Sequence, residues 1–273
     1  MAVTIASFLL VLTYIGNSNK LDSSTQITVV SLTLLSMGSL ALFVIIERRA
    51  ASPLIELSLM AHKVLLPANI IILIFGITMF MVYQTIPILV RSPQPLGFGG
   101  DAVSTAMVQL PFMIVILVFA PSSGFIVSKI GNLKPTVAGT IIMTIGFFSL
   151  FMFHSTEITV AINLAIVAAG ISLIQVGAFN ITMQYTPLKF SGVSLGMSVV
   201  LFLIGSSIGP AIAGIYMQTH QELVKGVTTG SFPSAISYNL IFLTAASISA
   251  VSITLVIILR RRINQSQATL KKL

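Results

Sequence analysis

GVSLGMSVVLFLIGSSIGPAIAGIYM, residues 192–217, runs for 26 residues without a charged side chain. That is enough to cross a hydrocarbon core of about 30 Å as a tilted helix. Its small residues fall at steps of four: Gly192 and Gly196, then Gly205, Gly209 and Ala213. On a helix such steps put positions on nearly one stripe, where two backbones approach closely. Pro210 sits inside the stripe, lacks an amide donor and leaves the Ser206 carbonyl without its helical partner. The stretch predicts a thin, closely packed, locally bent membrane helix.

The rest of the chain has the same character. Of 273 residues, 56% are apolar and only 7% charged, with a mean hydropathy of +1.05; soluble domains carry roughly 25% charged residues. An all-α, polytopic integral membrane protein in contact with the lipid bilayer follows. The net charge of +8 does not mark a nucleic-acid partner, because the basic residues cluster at helix ends rather than along a stripe. Cysteine is absent, which excludes a disulfide framework and a thiolate metal site.

Eight apolar segments follow one another. The first, about 2–16, is short and is expected to be either a minimal span or a helix whose beginning is missing. The second runs over about 27–46. Residues 47–63 (ERRAASPLIELSLMAHK) are too polar to span and predict an amphipathic connector lying on the cytoplasmic surface. Six spans come next, over about 64–90, 105–127, 136–153, 159–185, 192–217 and 238–259, and a basic tail occupies 260–273. With both termini inside, 11 of the 14 basic residues are cytoplasmic, and only Lys20, Arg91 and Lys225 lie outside. The positive-inside rule therefore fixes the orientation expected of the chain.

Two short patterns resemble those of the major facilitator superfamily. Gly196, eight residues, Gly205, three residues, Gly209-Pro210, two residues, then Ala213-Gly214 is similar to its antiporter motif G-x8-G-x3-G-P-x2-G-G, with Ala213 the one departure. GFIVSKIGNLKP, 124–135, is similar to its cytoplasmic loop motif G-x-L-x-D-R-x-G-R-[KR]. Gly124, Ile126, Lys129 and Gly131 match, while Ser128 replaces the acid and Asn132 the arginine. The segment ERR…PLIEL between spans resembles the fourteen-helix drug–proton antiporter branch. That resemblance implies two linker helices (1–46), the connector (47–63) and a C-terminal six-helix bundle (64–259) forming one half of a major-facilitator fold. It further implies proton-coupled efflux of a small amphipathic substrate across the cell membrane, together with an N-terminal six-helix half as partner. The alternative is a non-transporting membrane scaffold or assembly partner derived from a transporter half.

No Asp, Glu, Lys, Arg or His lies inside the six main spans, and His154 marks an outer end. The usual sign of an intramembrane proton relay is thus missing from them. The polar candidates are Tyr83 and Gln84 on the third span, Gln109 on the fourth, and Asn163, Asn180 and Gln184 on the sixth. At 100° per residue the last three fall within about 100° of one another, with Gln175 pointing elsewhere. By the resemblance these helices line a substrate cavity; the plainer reading is that each amide bonds a neighbouring helix. Pro87, Pro111, Pro121 and Pro210 free the carbonyls of Tyr83, Met107, Leu117 and Ser206, tolerable only against protein or a wet cavity. No nucleophile–base pair, metal-ligand cluster or phosphate loop is present, so neither an enzyme nor a cofactor is expected.

Overall fold

The computed structural model describes residues 4, 6–8, 10, 11, 14, 23–49, 61–224 and 230–270. The expected connector over 47–63 lies largely outside the described residues, as does much of the first apolar segment. The elements are α1 (Ser23–Arg49), α2 (Leu65–Arg91), α3 (Ala102–Ile130), α4 (Leu133–Met152), α5 (Glu157–Gln184), α6 (Ser191–Thr219) and α7 (Ala235–Leu270). A 3-10 turn at Leu188–Phe190 leads into α6, and a two-stranded antiparallel hairpin, β1 (Gln221–Leu223) with β2 (Ser231–Pro233), separates α6 from α7. Six helices, α2 to α7, are long and apolar enough to cross a membrane. The second predicted span is α1, whose described apolar stretch is shorter, Gln26–Leu42. Thr4 ties the N-terminal segment to α1: its Oγ1 is 2.9 Å from Ser39 Oγ, and its carbonyl accepts from Ser36 Oγ at 3.1 Å.

Polar residues stop the helices where the apolar runs end. Asp101 accepts from the Ser104 amide at 2.8 Å and caps α3; Thr156 and Thr159 form a reciprocal capping box at the start of α5. Gly131 closes α3 at φ +81°, a conformation that favours glycine and turns the chain into α4 two residues later. Gly124, grouped with it in the loop motif, lies inside α3 with open space around it and takes no part in the turn. Lys129 sits in the last turn of α3, its Nζ 4.4 Å above the Phe125 ring.

Helix α2 pairs most closely with α6 and then with α7, whereas α5 pairs most closely with α4 and then with α3; α4 and α7 touch, as do α2 and α5. Exchanging α2 with α5, α3 with α6 and α4 with α7 preserves this set of neighbours. Short connections make successive helices run in opposite directions, so helices three apart are inverted copies in place. The bundle is two inverted three-helix repeats. Its core runs through α2, α4, α5 and α7 around Phe75, Met81, Met143, Phe147, Ile174 and Phe242. The flanking α3 and α6 are the least buried.

Glycine decides the two closest contacts. A Cβ on Gly205 would meet the Leu73 carbonyl and come within 2.9 Å of the Ile77 nitrogen, and one on Gly209 would meet the Ile77 carbonyl and lie 2.8 Å from the Met81 nitrogen. From the other side, a Cβ on Gly76 would sit 2.5 Å from the Phe202 carbonyl. The α2–α6 pair thus touches backbone to backbone, with Phe75 and Phe80 packed on Phe202 at centroid separations of 5.0 and 5.9 Å. A second such contact joins α4 to α5, where a Cβ on Gly139 would lie 2.7 Å from the Gly170 carbonyl and one on Gly177 would meet Thr136.

The expected single stripe on α6 is corrected. Gly205, Gly209 and Ala213 are buried, but Gly192, Gly196 and Gly214 have nothing within 4 Å of an added Cβ. Nine residues separate Gly196 from Gly205, and Gly205 from Gly214; nine steps of 100° amount to half a turn, so those glycines face the opposite way.

Candidate functional site

Three of the polar candidates gather on the C-terminal part of α2 and the N-terminal part of α3. The half-buried Tyr83 ring rests on Phe112 with centroids 5.1 Å apart. Gln109 Nε2 donates to the Tyr83 carbonyl at 3.0 Å. That carbonyl is the one freed by Pro87, which cannot supply the amide four residues on. An amide from α3 therefore repairs a gap in α2, and Gln109 holds the two helices together. Gln84, the next residue, is exposed and has no hydrogen-bond partner among the described residues.

The candidates on α5 separate. Asn163 is buried near the start of α5, where its Oδ1 accepts from Ser149 Oγ at 2.8 Å and its Nδ2 donates to the Phe153 carbonyl at 2.7 Å. Both bonds satisfy the C-terminal turn of α4, so its amide is committed to helix packing and not presented to a cavity. Gln184, the last residue of α5, accepts from Asn132 Nδ2 at 2.8 Å. Asn132 occupies the arginine position of the loop motif, so a neutral amide pair links that loop to α5. Between Asn163 and Gln184 the helix rises roughly 30 Å, so the group expected to face one cavity occupies opposite ends of the bundle. Asn180 is partly exposed and, like the exposed Gln175, has no partner among the described residues.

Two helical stripes remain at least partly exposed, Phe80 of the first also touching Phe202 of α6. On α2 the partly or fully exposed positions run Ile70, Leu73, Ile77, Phe80, Gln84 and Ile88; on α5 they run Ile162, Ala165, Ala169, Val176, Asn180 and Met183. Each is apolar except for one unpartnered amide. The two helices touch and are related by the repeat, with α3 and α6 on their flanks.

One buried polar group escaped the sequence reading. Asn69 on α2 is buried, and its Oδ1 accepts from Ser198 Oγ of α6 at 2.7 Å. Ser198 also reaches Thr182 of α5 at 3.4 Å, and Thr186 donates to Ser194 at 2.8 Å. These side chains pin the first turns of α2 and α6 to the last turns of α5. A lone asparagine in LPANIIILIF is the signal that pointed to it, since an amide in an apolar span needs a partner.

The family model described as Major Facilitator Superfamily matches residues 1–210. The chain belongs to the major facilitator superfamily. It is a multi-pass membrane protein of a transporter family rather than an enzyme. Over 189 residues it is 28% identical to the multidrug resistance protein Stp of Mycobacterium tuberculosis, covering 68% of this chain and 34% of that one. Over 195 residues it is 21% identical to the quinolone resistance protein NorB of Staphylococcus aureus, covering 70% of this chain and 41% of that one. The chain spans between about a third and two fifths of the length of these curated relatives.

Proposed function

We propose that the six helices α2–α7 form one half of a secondary transporter that exports small amphipathic molecules, coupled to protons, across the cell membrane with both chain ends in the cytoplasm. The observation that carries this reading is the pair of partly exposed stripes on α2 and α5, each apolar with a single free amide. Such a lining takes up a hydrophobic body and orients it through one or two hydrogen bonds, which suits weakly polar drug-like substrates. The drug-resistance names of the two relatives agree with this class. The inverted repeats and the Pro87 break braced by Gln109 agree with alternating access, in which bundles rock about a midplane site.

Coupling requires a group whose protonation changes during the cycle. Along α2–α7 the Asp, Glu, Lys, Arg and His residues occur only near helix ends and in the extension of α7 beyond Leu259, so the proton carrier belongs to a second six-helix half, against which this bundle rocks. The chain alone, reconstituted in liposomes under a pH gradient, then moves no cationic dye, and adding an N-terminal half from a related transporter restores gradient-driven movement. In that assembly Gln84→Ala lowers transport without lowering thermal stability. Dye movement by the chain alone that collapses with the gradient would refute the two-half reading. Transport unaffected by Gln84→Ala and Asn180→Ala together would refute the assignment of the stripes.

A further inference from the structure

At the inner end of the bundle a cavity of about 430 Å³ opens between the α3–α4 turn, the end of α5 and the extension of α7. Its polar lining is Ser128, Asn132, Lys134, Gln184, Tyr185 and Asn264, and Val127, Ile130, Leu133, Ile181 and Ile263 form its apolar wall. The volume lies within the range of small-ligand pockets, roughly 300–1,000 Å³. Helix α7 continues well past the apolar part of its sequence, and the buried Ile263 keeps this extension against the bundle. Arg260 precedes Ile263 and Asn264 by three and four residues, so it lies on the helix face of the two α7 residues that line the cavity, one turn away from them. Lys134, Arg260 and Arg261 are exposed and have no acidic partner among the described residues. The Asn132 side chain does not cap α4, being turned toward Gln184, so the first amides of that helix add to the positive field.

We infer that this cavity binds the headgroup of an anionic phospholipid of the cytoplasmic leaflet. The inference rests on the cytoplasmic placement of this end. Lys134, three side-chain amides and the hydroxyls of Ser128 and Tyr185 line the space, and Arg260 stands one helical turn from Asn264 at its edge, a setting that attracts a phosphodiester. A soluble anion would leave the apolar wall without a counterpart. A lipid places its phosphate between Lys134 and Arg260 and runs its acyl chains along that wall past Ile130 and Phe125, both of which are exposed. The loop motif, with Ser128 and Asn132 in place of its acid and arginine, supplies no carboxylate to repel the headgroup.

Native mass spectrometry of the purified chain in neutral detergent, titrated with phosphatidylglycerol or with phosphatidylcholine of the same acyl chains, tests the site. One phosphatidylglycerol is retained per chain, at least about ten-fold above phosphatidylcholine. Lys134→Gln lowers retention about five-fold, and Lys134→Gln with Arg260→Gln about twenty-five-fold, as expected for charges near a membrane surface. Lys134→Arg keeps retention, and Arg91→Gln at the other membrane face leaves it unchanged. Equal retention of phosphatidylcholine, equal loss in Arg91→Gln, or displacement of the lipid by an equal concentration of glycerol phosphate would overturn the inference, the last pointing to a soluble anion. This readout is independent of transport, since lipid retention is measured without substrate, so its failure is distinct from failure of the half-transporter reading.

Discussion

Replacing Gly209 by alanine adds one carbon where α6 has none to spare. That carbon would meet the Ile77 carbonyl and lie 2.8 Å from the Met81 nitrogen, and both obstacles are backbone. Neither can rotate away as a side chain would, so α2 and α6 must part by several tenths of an ångström along their contact. Overpacking of this kind costs about 1–3 kcal/mol. Alanine returns part of that through helix propensity, up to about 1 kcal/mol. Gly214→Ala gains the same propensity with nothing within 4 Å of its new carbon. The two variants therefore move in opposite directions: in detergent, Gly209→Ala unfolds several degrees below the parent and Gly214→Ala at or above it. Gly76→Ala is also destabilising, yet combined with Gly209→Ala it costs less than the sum, because the first substitution has already separated the helices. Matching melting temperatures for Gly209→Ala and Gly214→Ala, or strict additivity in the double variant, would refute the backbone-contact account.

Gln109→Leu leaves the Tyr83 carbonyl without a donor and destabilises by about 0.6–2 kcal/mol; Pro87→Ala restores an amide to that carbonyl, so it rescues much of the loss, as thermal unfolding of the double variant would record. Asn163→Leu strips the α4 terminus of two bonds and lowers stability by a few kcal/mol, an estimate from the cost of orphaned buried groups, whereas Ser149→Ala removes only the bond to Oδ1 and leaves donation to Phe153, so its melting temperature falls between. The bonds from Ser104 hold the Asp101 carboxyl below the usual carboxylate range, so its contribution is complete above that range and disappears as pH falls through the depressed value. Amide exchange in the first turn of α3 accelerates over that acidic interval, and Asp101→Ala exchanges fast throughout.

The spans were legible because charge-free runs of membrane length leave a chain few other choices. Predicted and observed boundaries for α2 to α6 agree within a few residues. Helix α7 does not stop where its apolar run ends near Leu259 but continues to Leu270, because the basic segment that leaves the bilayer is itself a good helix former and Ile263 packs back on the bundle. The hairpin at 221–233 was not legible: three-residue strands carry too little pattern. Glycine on α6 was correctly read as a contact signal but assigned to one face, since counting in fours ignores the half turn across the nine-residue gap. Gly139 with Gly146, and Gly170 with Gly177, carry a comparable signal at sevenfold spacing on α4 and α5, and the four-residue template passed over them. Among the polar candidates, residue type alone did not separate Gln84, which is free, from Gln109 and Asn163, which are bonded. That difference is set by a proline on a neighbouring helix and by where α4 ends.

The opposed glycine faces of α6 also constrain mechanics. A helix seated against α2 at Gly205 and Gly209 can neither roll about its own axis nor slide lengthwise without driving Cα atoms into carbonyl oxygens, so α2 and α6 form a single stiff lever. The smooth side bearing Gly196 and Gly214 has no such teeth and offers a low-friction surface to whatever moves past it. Spin labels at Ile70 and Val199 accordingly keep one separation through a working cycle, while a label at Leu203 changes its distance to any element lying across the open side.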